Sequence, residues 1–243
     1  MHSLKDLHSQ LDEDLNINSS DSLVSTLYYT DLINDQRSLM IRNEYNRNRE
    51  FSPNIQQTIP CLELVLAEPH GCCEAIPVGC KILRTKERIP NSIELHHKQT
   101  ITSVGPVIIT KKRFTLIDYS RVPYVGEGRT TSNSVYAFIY DDYIYVFSKR
   151  DDLKLLRSIT IRGIFEDPTA LAKLTDCSGK ACWSPDDKYP LSTWMWNYIK
   201  PQVLNSLRIK LGIPVDNINN SKDDITGNLG GSSRRQKQPK EDE

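Results

Sequence analysis

The chain has no surplus of either charge, no long apolar run and no recognisable catalytic string, and each absence removes a class of function. Lysine plus arginine and aspartate plus glutamate balance at 31 each among 243 residues, so the whole chain lacks the pull toward nucleic acid or anionic membrane that a basic domain exerts. No segment approaches the roughly 20 apolar residues needed to cross a bilayer, and the opening Met1-His2-Ser3-Leu4-Lys5-Asp6-Leu7 lacks the apolar centre of a signal peptide. The expectation is synthesis in a cytosol, with no membrane partner. A chain of this length buries a sizeable core without a metal or disulfide staple.

Cysteine is sparse, six in all, and in a cytosol these are expected to be reduced thiols. No Cys-x-x-Cys pair occurs. Cys72 and Cys73 are adjacent and on a strand would face opposite ways, which suits joint zinc ligation poorly. A tetrahedral site from His70, one of that pair, Cys80 and a distant Cys177 or Cys182 is the minor alternative, and no metal or cofactor is expected.

Walker loops, His-Glu-x-x-His, Gly-x-Ser-x-Gly and Gly-x-Gly-x-x-Gly strings are all missing. Gly126-Glu127-Gly128 lacks the third glycine and the strand-to-helix setting of a phosphate site. His96-His97, on a strand, would point to opposite faces and read as surface residues. No catalytic residue is assigned, and the chain is not read as an enzyme.

Glycine and proline are absent before Pro53 and frequent after it, which marks a change of architecture. Residues 1–20 are polar and acidic and are read as a mobile arm. From 21 to 52 the apolar positions Val24, Leu27, Tyr28, Leu32, Leu39 and Met40 predict one or two amphipathic helices to about Asn46, with Arg37, Arg42, Glu44, Arg47 and Arg49 on the wet side. Residues 53–165 carry β punctuation, with strands expected at 61–66, 79–84, 92–95, 107–110, 134–140, 143–147 and 155–164. The pair flanking Asp141-Asp142 is apolar on both faces, which places it between two layers or at a subunit contact. Residues 129–133 read as an exposed loop tip. Beyond residue 214 the chain is polar and reads as a flexible tail, 215–243, whose Arg234 and Arg235 are candidates for contact with acidic surface or nucleic acid.

What is present in abundance is aromatic and apolar surface between Asp167 and Pro214. Asp167-Pro168 reads as an N-cap with an N1 proline before a short helix. Leu191, Met195, Ile199, Val203, Leu207 and Leu211 then recur every fourth residue on a second helix, which Pro201 is expected to kink or break. Trp194, Trp196 and Tyr198 widen the stripe beyond one face, so this helix is either a core helix or an assembly helix with aromatic anchors. Those three residues, together with Tyr136, Tyr140, Tyr143 and Tyr145 of the hairpin, are the candidate subunit contacts. The fold class expected is α+β: helices from 21–52 and 166–214 forming a helical domain, with an antiparallel β-domain, sandwich or barrel, inserted between them.

The segments Asp31-Leu-Ile-Asn-Asp-Gln-Arg-Ser-Leu-Met-Ile-Arg-Asn-Glu44, Cys72-Cys73 with Val78-Gly79-Cys80 and Ile89-Pro90, Gly163-Ile-Phe-Glu-Asp-Pro-Thr-Ala-Leu171, and Cys182-Trp-Ser-Pro-Asp-Asp-Lys-Tyr-Pro190 resemble structural ring proteins of crAss-like tailed bacteriophages. The resemblance runs over residues 25 to 225. It implies a virion protein of the head-to-tail connector type: a homo-oligomeric ring of about twelve copies, a dodecamer, stacked on the portal protein or on a neighbouring ring. Such a ring passes DNA without sequence specificity. Two other readings stay open beside it, a nucleic-acid-binding module and a zinc-stabilised regulatory protein. The aromatic hairpin has only Lys149 and Arg150 next to it in sequence, too little for the basic aromatic surface the first requires.

Overall fold

The computed structural model describes residues 2–15, 25–48, 50–67, 82–96, 98–108, 110–126, 128, 129, 131–148, 153 and 156–211. Its order is α1 (Leu4–Asp14), α2 (Thr26–Asn48), nine strands between Gln57 and Gly163, and α3 (Thr193–Leu211). Residues up to Leu204 form one compact unit, and a second begins at Asn205, of which 205–211 is described.

Part of the expected N-terminal arm is a helix. Ser3 accepts from the Asp6 amide while the Asp6 carboxylate accepts from the Ser3 amide, a reciprocal capping box. Leu4, Leu7 and Leu11 then fall on one side and are buried. That burial explains why so short and acidic a segment is ordered.

Helix α2 is a single helix, and the side it buries is not the one its leucines suggest. Tyr29, Ile33, Arg37 and Ile41 recur every fourth residue and are buried, with Thr30, Asn34 and Ser38 beside them, whereas Leu27 and Leu39 are exposed. Arg37, expected on the wet side, is fully buried.

The strands β1 (Gln57–Leu66), β2 (Leu83–Thr85), β5 (Ile101–Pro106), β6 (Thr115–Leu116), β7 (Tyr136–Tyr140), β8 (Tyr143–Phe147) and β9 (Ser158–Gly163) form one sheet in the order β5-β9-β1-β2-β8-β7-β6. Its two ends meet where the Phe114 amide donates to the Val104 carbonyl at 2.8 Å, so the sheet is a nearly closed barrel. All pairings in it are antiparallel except β6 with β7, which is parallel. Ile59, Leu62, Val104, Ala137, Ile144, Val146, Ile159 and Ile161 are buried in its core. Pro60 lies within the central strand β1 and has no amide to give, and the β1–β9 register shifts between Ile59 and Leu62. Gly163 lies against Ile101, where an added Cβ would stand 2.8 Å from its Cδ1.

The hairpin β7–β8 turns on Asp141 and Asp142, both at positive φ (48° and 60°), as a two-residue turn matched to strand twist requires. Val107, Ile108 and Thr110, expected within a strand at 107–110, instead belong to the β5–β6 connection, and the strand lies just before them; Ile109 lies outside the described residues. The strand expected at 92–95 is reduced to Glu94–Leu95, β3, paired with β4 (Lys98–Gln99). His96 sits in the turn between them rather than on a strand. His97 lies outside the described residues.

The Asp167 segment is a 3-10 turn, Pro168–Lys173, and not an α-helix. Its apolar run is too short to offset α nucleation, yet the cap is as expected: the Asp167 carboxylate accepts from the Thr169 amide at 2.9 Å and hydroxyl at 2.7 Å. Helix α3 runs unbroken through Pro201. The carbonyl that Pro201 leaves without a donor belongs to exposed Asn197, where water can serve it. Met195, Ile199, Val203 and Leu207 are all buried.

Candidate assembly surfaces

A buried polar cluster holds the helical elements to the end of β9. The Arg37 guanidinium donates to the carbonyls of Pro190 (2.9 Å), Phe165 (2.8 Å) and Ile55 (3.4 Å) and lies 5.8 Å from the centre of the Tyr189 ring. Burial pulls its pKa below the ordinary guanidinium value, while Tyr189 and Asp167 act in the opposite sense. It nevertheless stays charged, since a guanidinium keeps its proton in proteins. The Tyr189 hydroxyl donates to Asn34, whose amide donates to Asp167 at 3.1 Å. Burial also pushes the Tyr189 phenol up. Three carbonyls from three separate segments therefore depend on one side chain, which sequence periodicity assigned to solvent.

Helix α1 is joined to α3 by polar contacts at two heights. Trp196 Nε1 donates to Gln10 at 2.8 Å, and Lys200 pairs with Asp14 at 2.7 Å. Trp196 is accordingly 4% exposed, whereas Trp194 is 43% and Tyr198 64% exposed. The three aromatic residues thus separate: Trp196 is covered within its own chain, while Trp194 and Tyr198 form an exposed edge-to-face pair, 6.3 Å between centroids.

The hairpin aromatics separate in the same way. Tyr136, Phe138, Tyr145 and Phe147 form a buried cluster on one face of β7–β8, with Ile82, Ile117, Val122 and Val125 packed against it. Ala137, Ile144 and Val146 are buried on the other face. The hairpin therefore lies between two layers of its own chain, and Tyr136 and Tyr145 are core residues. Tyr140 is exposed and stacks on Tyr119 at 4.8 Å, with Tyr124 exposed nearby in sequence. Tyr143 is half-buried beneath the guanidinium groups of Arg84 (4.8 Å) and Arg88 (5.5 Å). These two arginines were not assigned to the hairpin because more than 50 residues separate each of them from Tyr143. Tyr119 and Tyr124, in the 3-10 turn Tyr119–Tyr124, were also missed; their only sequence signal is aromatic residues in a polar, proline-containing loop.

Cys61 on β1 is disulfide-bonded to Cys177, with Cα atoms 5.2 Å apart, which corrects the expectation of six reduced thiols. The β1 strand and the 176–179 turn meet only in the fold, so spacing could not pair them. Cys182 is free, and burial raises its thiol pKa, with Asp176 and Glu87 adding to the effect. Among the described residues no group of three or more His, Cys, Asp and Glu could hold a metal ion. His70, Cys72, Cys73, Cys80, Lys149, Arg150, Arg234 and Arg235 lie outside the described residues. No helix is long and apolar enough to cross a membrane among those described.

The nearly closed barrel and α3 thus leave aromatic side chains exposed on separate elements, Tyr119 and Tyr140 on one and Trp194 and Tyr198 on the other. The family model described as phage tail ring protein 2, of the crAss ring group, matches residues 12–225. The chain belongs to that family of structural phage tail ring proteins, and is a virion component. No curated protein matches it at a significant level.

Proposed function

We propose that the chain assembles head to tail into a closed ring in the connector below the portal vertex, about twelve copies supporting the channel through which the genome passes. The portal protein and adjoining tail rings are its partners, and passing DNA is met without sequence specificity. The observation that carries this reading is the family match over residues 12–225. Exposed aromatics on two different elements, Tyr119 and Tyr140 on the barrel and Trp194 and Tyr198 on α3, supply the kind of anchors that a subunit contact uses. The Tyr119–Tyr124 and Arg84–Arg88 groups add to the candidate contacts named from sequence, and Trp196, Tyr136 and Tyr145 leave the list because their own chain covers them. Native mass spectrometry and negative-stain imaging of the purified full chain test the proposal: closed rings are expected, and a chain that stays monomeric at every concentration overturns it.

A further inference from the structure

The outward side of α2 carries a stripe that the described residues leave open. Leu27, Asp31, Asp35 and Leu39 follow one another at four-residue spacing and are all exposed. Asp31, Asp35 and Leu39 line an open cleft of roughly 740 Å³, together with Glu166 and Asp167. Arg42 is the cation in this cleft, and it is already engaged by Glu166 at 3.2 Å and by the Glu94 carbonyl at 3.1 Å. Asp31 and Asp35 have no ion pair among the described residues.

The β5–β6 connection presents a projection of opposite sign. The Phe114–Val104 hydrogen bond closes its base, the Lys111 amide donates to the Ile108 carbonyl at 3.1 Å to form its tip, and Arg113 donates to the Pro106 carbonyl at 3.3 Å. Arg113 also packs against Gly105, where an added Cβ would stand 2.6 Å from its Cδ. Ile108 is left 59% exposed, and Lys111 and Lys112 are exposed beside it. No acidic residue occurs from Gly105 to Arg113. Here an isoleucine followed by two lysines is held out on a braced turn, and on α2 two aspartates between two leucines have no ion pair among the described residues.

We propose that the projection carrying Ile108, Lys111 and Lys112 of one copy seats in the α2 cleft of the next copy, Lys111 and Lys112 facing Asp31 and Asp35, and Ile108 covering Leu39 at the edge of the cleft. The inference rests on the ring assignment and specifies which faces meet. A ring needs two different surfaces on each subunit, complementary to each other and not to themselves. This pair meets that requirement in both charge and apolar character. Exposed lysines on a projection also suit phosphate, but the complement supplied by the chain itself favours a second copy over DNA. Opposite charges at the edge of such a contact set register and speed encounter, and the desolvated apolar residues hold it.

The test is a charge exchange in the full chain, read by native mass spectrometry and negative-stain imaging. Asp31→Lys with Asp35→Lys, and separately Lys111→Glu with Lys112→Glu, change only exposed side chains. Each pair is expected to raise the concentration needed for ring formation at least about tenfold, with an unchanged circular dichroism spectrum. All four substitutions together should restore rings, because the reversed faces are again complementary. Wild-type rings that persist in both paired variants overturn this assignment of faces and leave the ring assignment standing, as does loss of rings without rescue. Intact rings combined with loss of salt-sensitive duplex-DNA retention in the Lys111 and Lys112 variant assign the projection to DNA and overturn the inference. A wild-type chain that never assembles overturns both readings.

Discussion

Arg37 Nε lies 2.9 Å from the carbonyl oxygen of Pro190, 153 residues away in sequence, and this bond ties α2 to the segment that leads into α3. The guanidinium is fully buried and its partners are backbone carbonyls from three segments. Removing it strands those acceptors. Arg37→Met is expected to destabilise the chain by about 3–5 kcal/mol in urea titration. Arg37→Lys should recover little of that, since an ammonium cannot span the same three acceptors in one plane. A loss under 1 kcal/mol for Arg37→Met, roughly the scale of a surface change, would show that the cluster contributes no net stability.

How much of this was legible in the sequence depends on whether the deciding contact is local. The β7–β8 hairpin and the buried positions Met195, Ile199, Val203 and Leu207 follow from period and turn chemistry, and both are found as expected. Arg37 does not, because a charged residue is assigned to solvent unless its acceptors are known, and these come from Ile55, Phe165 and Pro190. The same holds for Leu27 and Leu39: their apolar character marks the wrong side of α2 when the buried side is built from Tyr29, Ile33, Arg37 and Ile41. The α1 helix was legible in its Ser3–Asp6 box and leucine spacing, but acidic composition outweighed them.

The α1 docking surface is expected to weaken in mild acid. His8 packs 5.7 Å from the Tyr29 ring and its Nε2 lies 3.3 Å from the Thr30 hydroxyl. Burial lowers its pKa below the ordinary 6.5, with Asp12 acting in the opposite direction. Burial, and then Asp12, push the Tyr29 phenol up to about 12, so it stays neutral throughout this range. Because the folded value of His8 is the lower one, its contribution is complete above pH 6.5 and is lost as pH falls through the folded value. Melting temperature and Trp196 fluorescence should both report this, and His8→Gln should flatten the profile; an unchanged slope in that variant would assign the acid sensitivity elsewhere.

Reduction should cost the fold a large fraction of its stability. The Cys61–Cys177 bond closes a sequence separation of 116 residues, for which chain entropy gives on the order of 4–5 kcal/mol. Urea unfolding with and without a thiol reductant measures it. Cys61→Ser should behave like the reduced protein in either condition, and Cys182→Ser should follow the parent chain in both, because Cys182 is outside the bond.

The hairpin turn can be relaxed by a single change. Asp142 holds a left-handed conformation at φ 60°, so Asp142→Gly is expected to stabilise by about 0.5–1 kcal/mol. Asp141 is better left alone because Arg88 pairs with it at 3.3 Å. A drop in thermal midpoint for Asp142→Gly would show that the aspartate side chain contributes more than its backbone costs.

Trp194 and Tyr198 distinguish a folding role from an assembly role. Both are well exposed, so replacing them together with alanine should change monomer stability by no more than about 1 kcal/mol. If they anchor a neighbour, the same double variant should lose assembly under conditions where the parent chain forms rings. Unaltered assembly would remove them from the contact surface.

The hydrogen bond between Phe114 and Val104 has a bearing on how copies of this chain can associate. It joins the two outer strands of the seven-stranded sheet and uses up backbone groups that an open sheet would offer to any passing strand. Edge-to-edge strand addition, a mode of association with no natural end point, is thereby disfavoured at this seam of the barrel. In the proposed ring the joining then falls to side-chain surfaces, which permit one orientation and one angle between neighbours, the condition under which a series of identical contacts returns to its start.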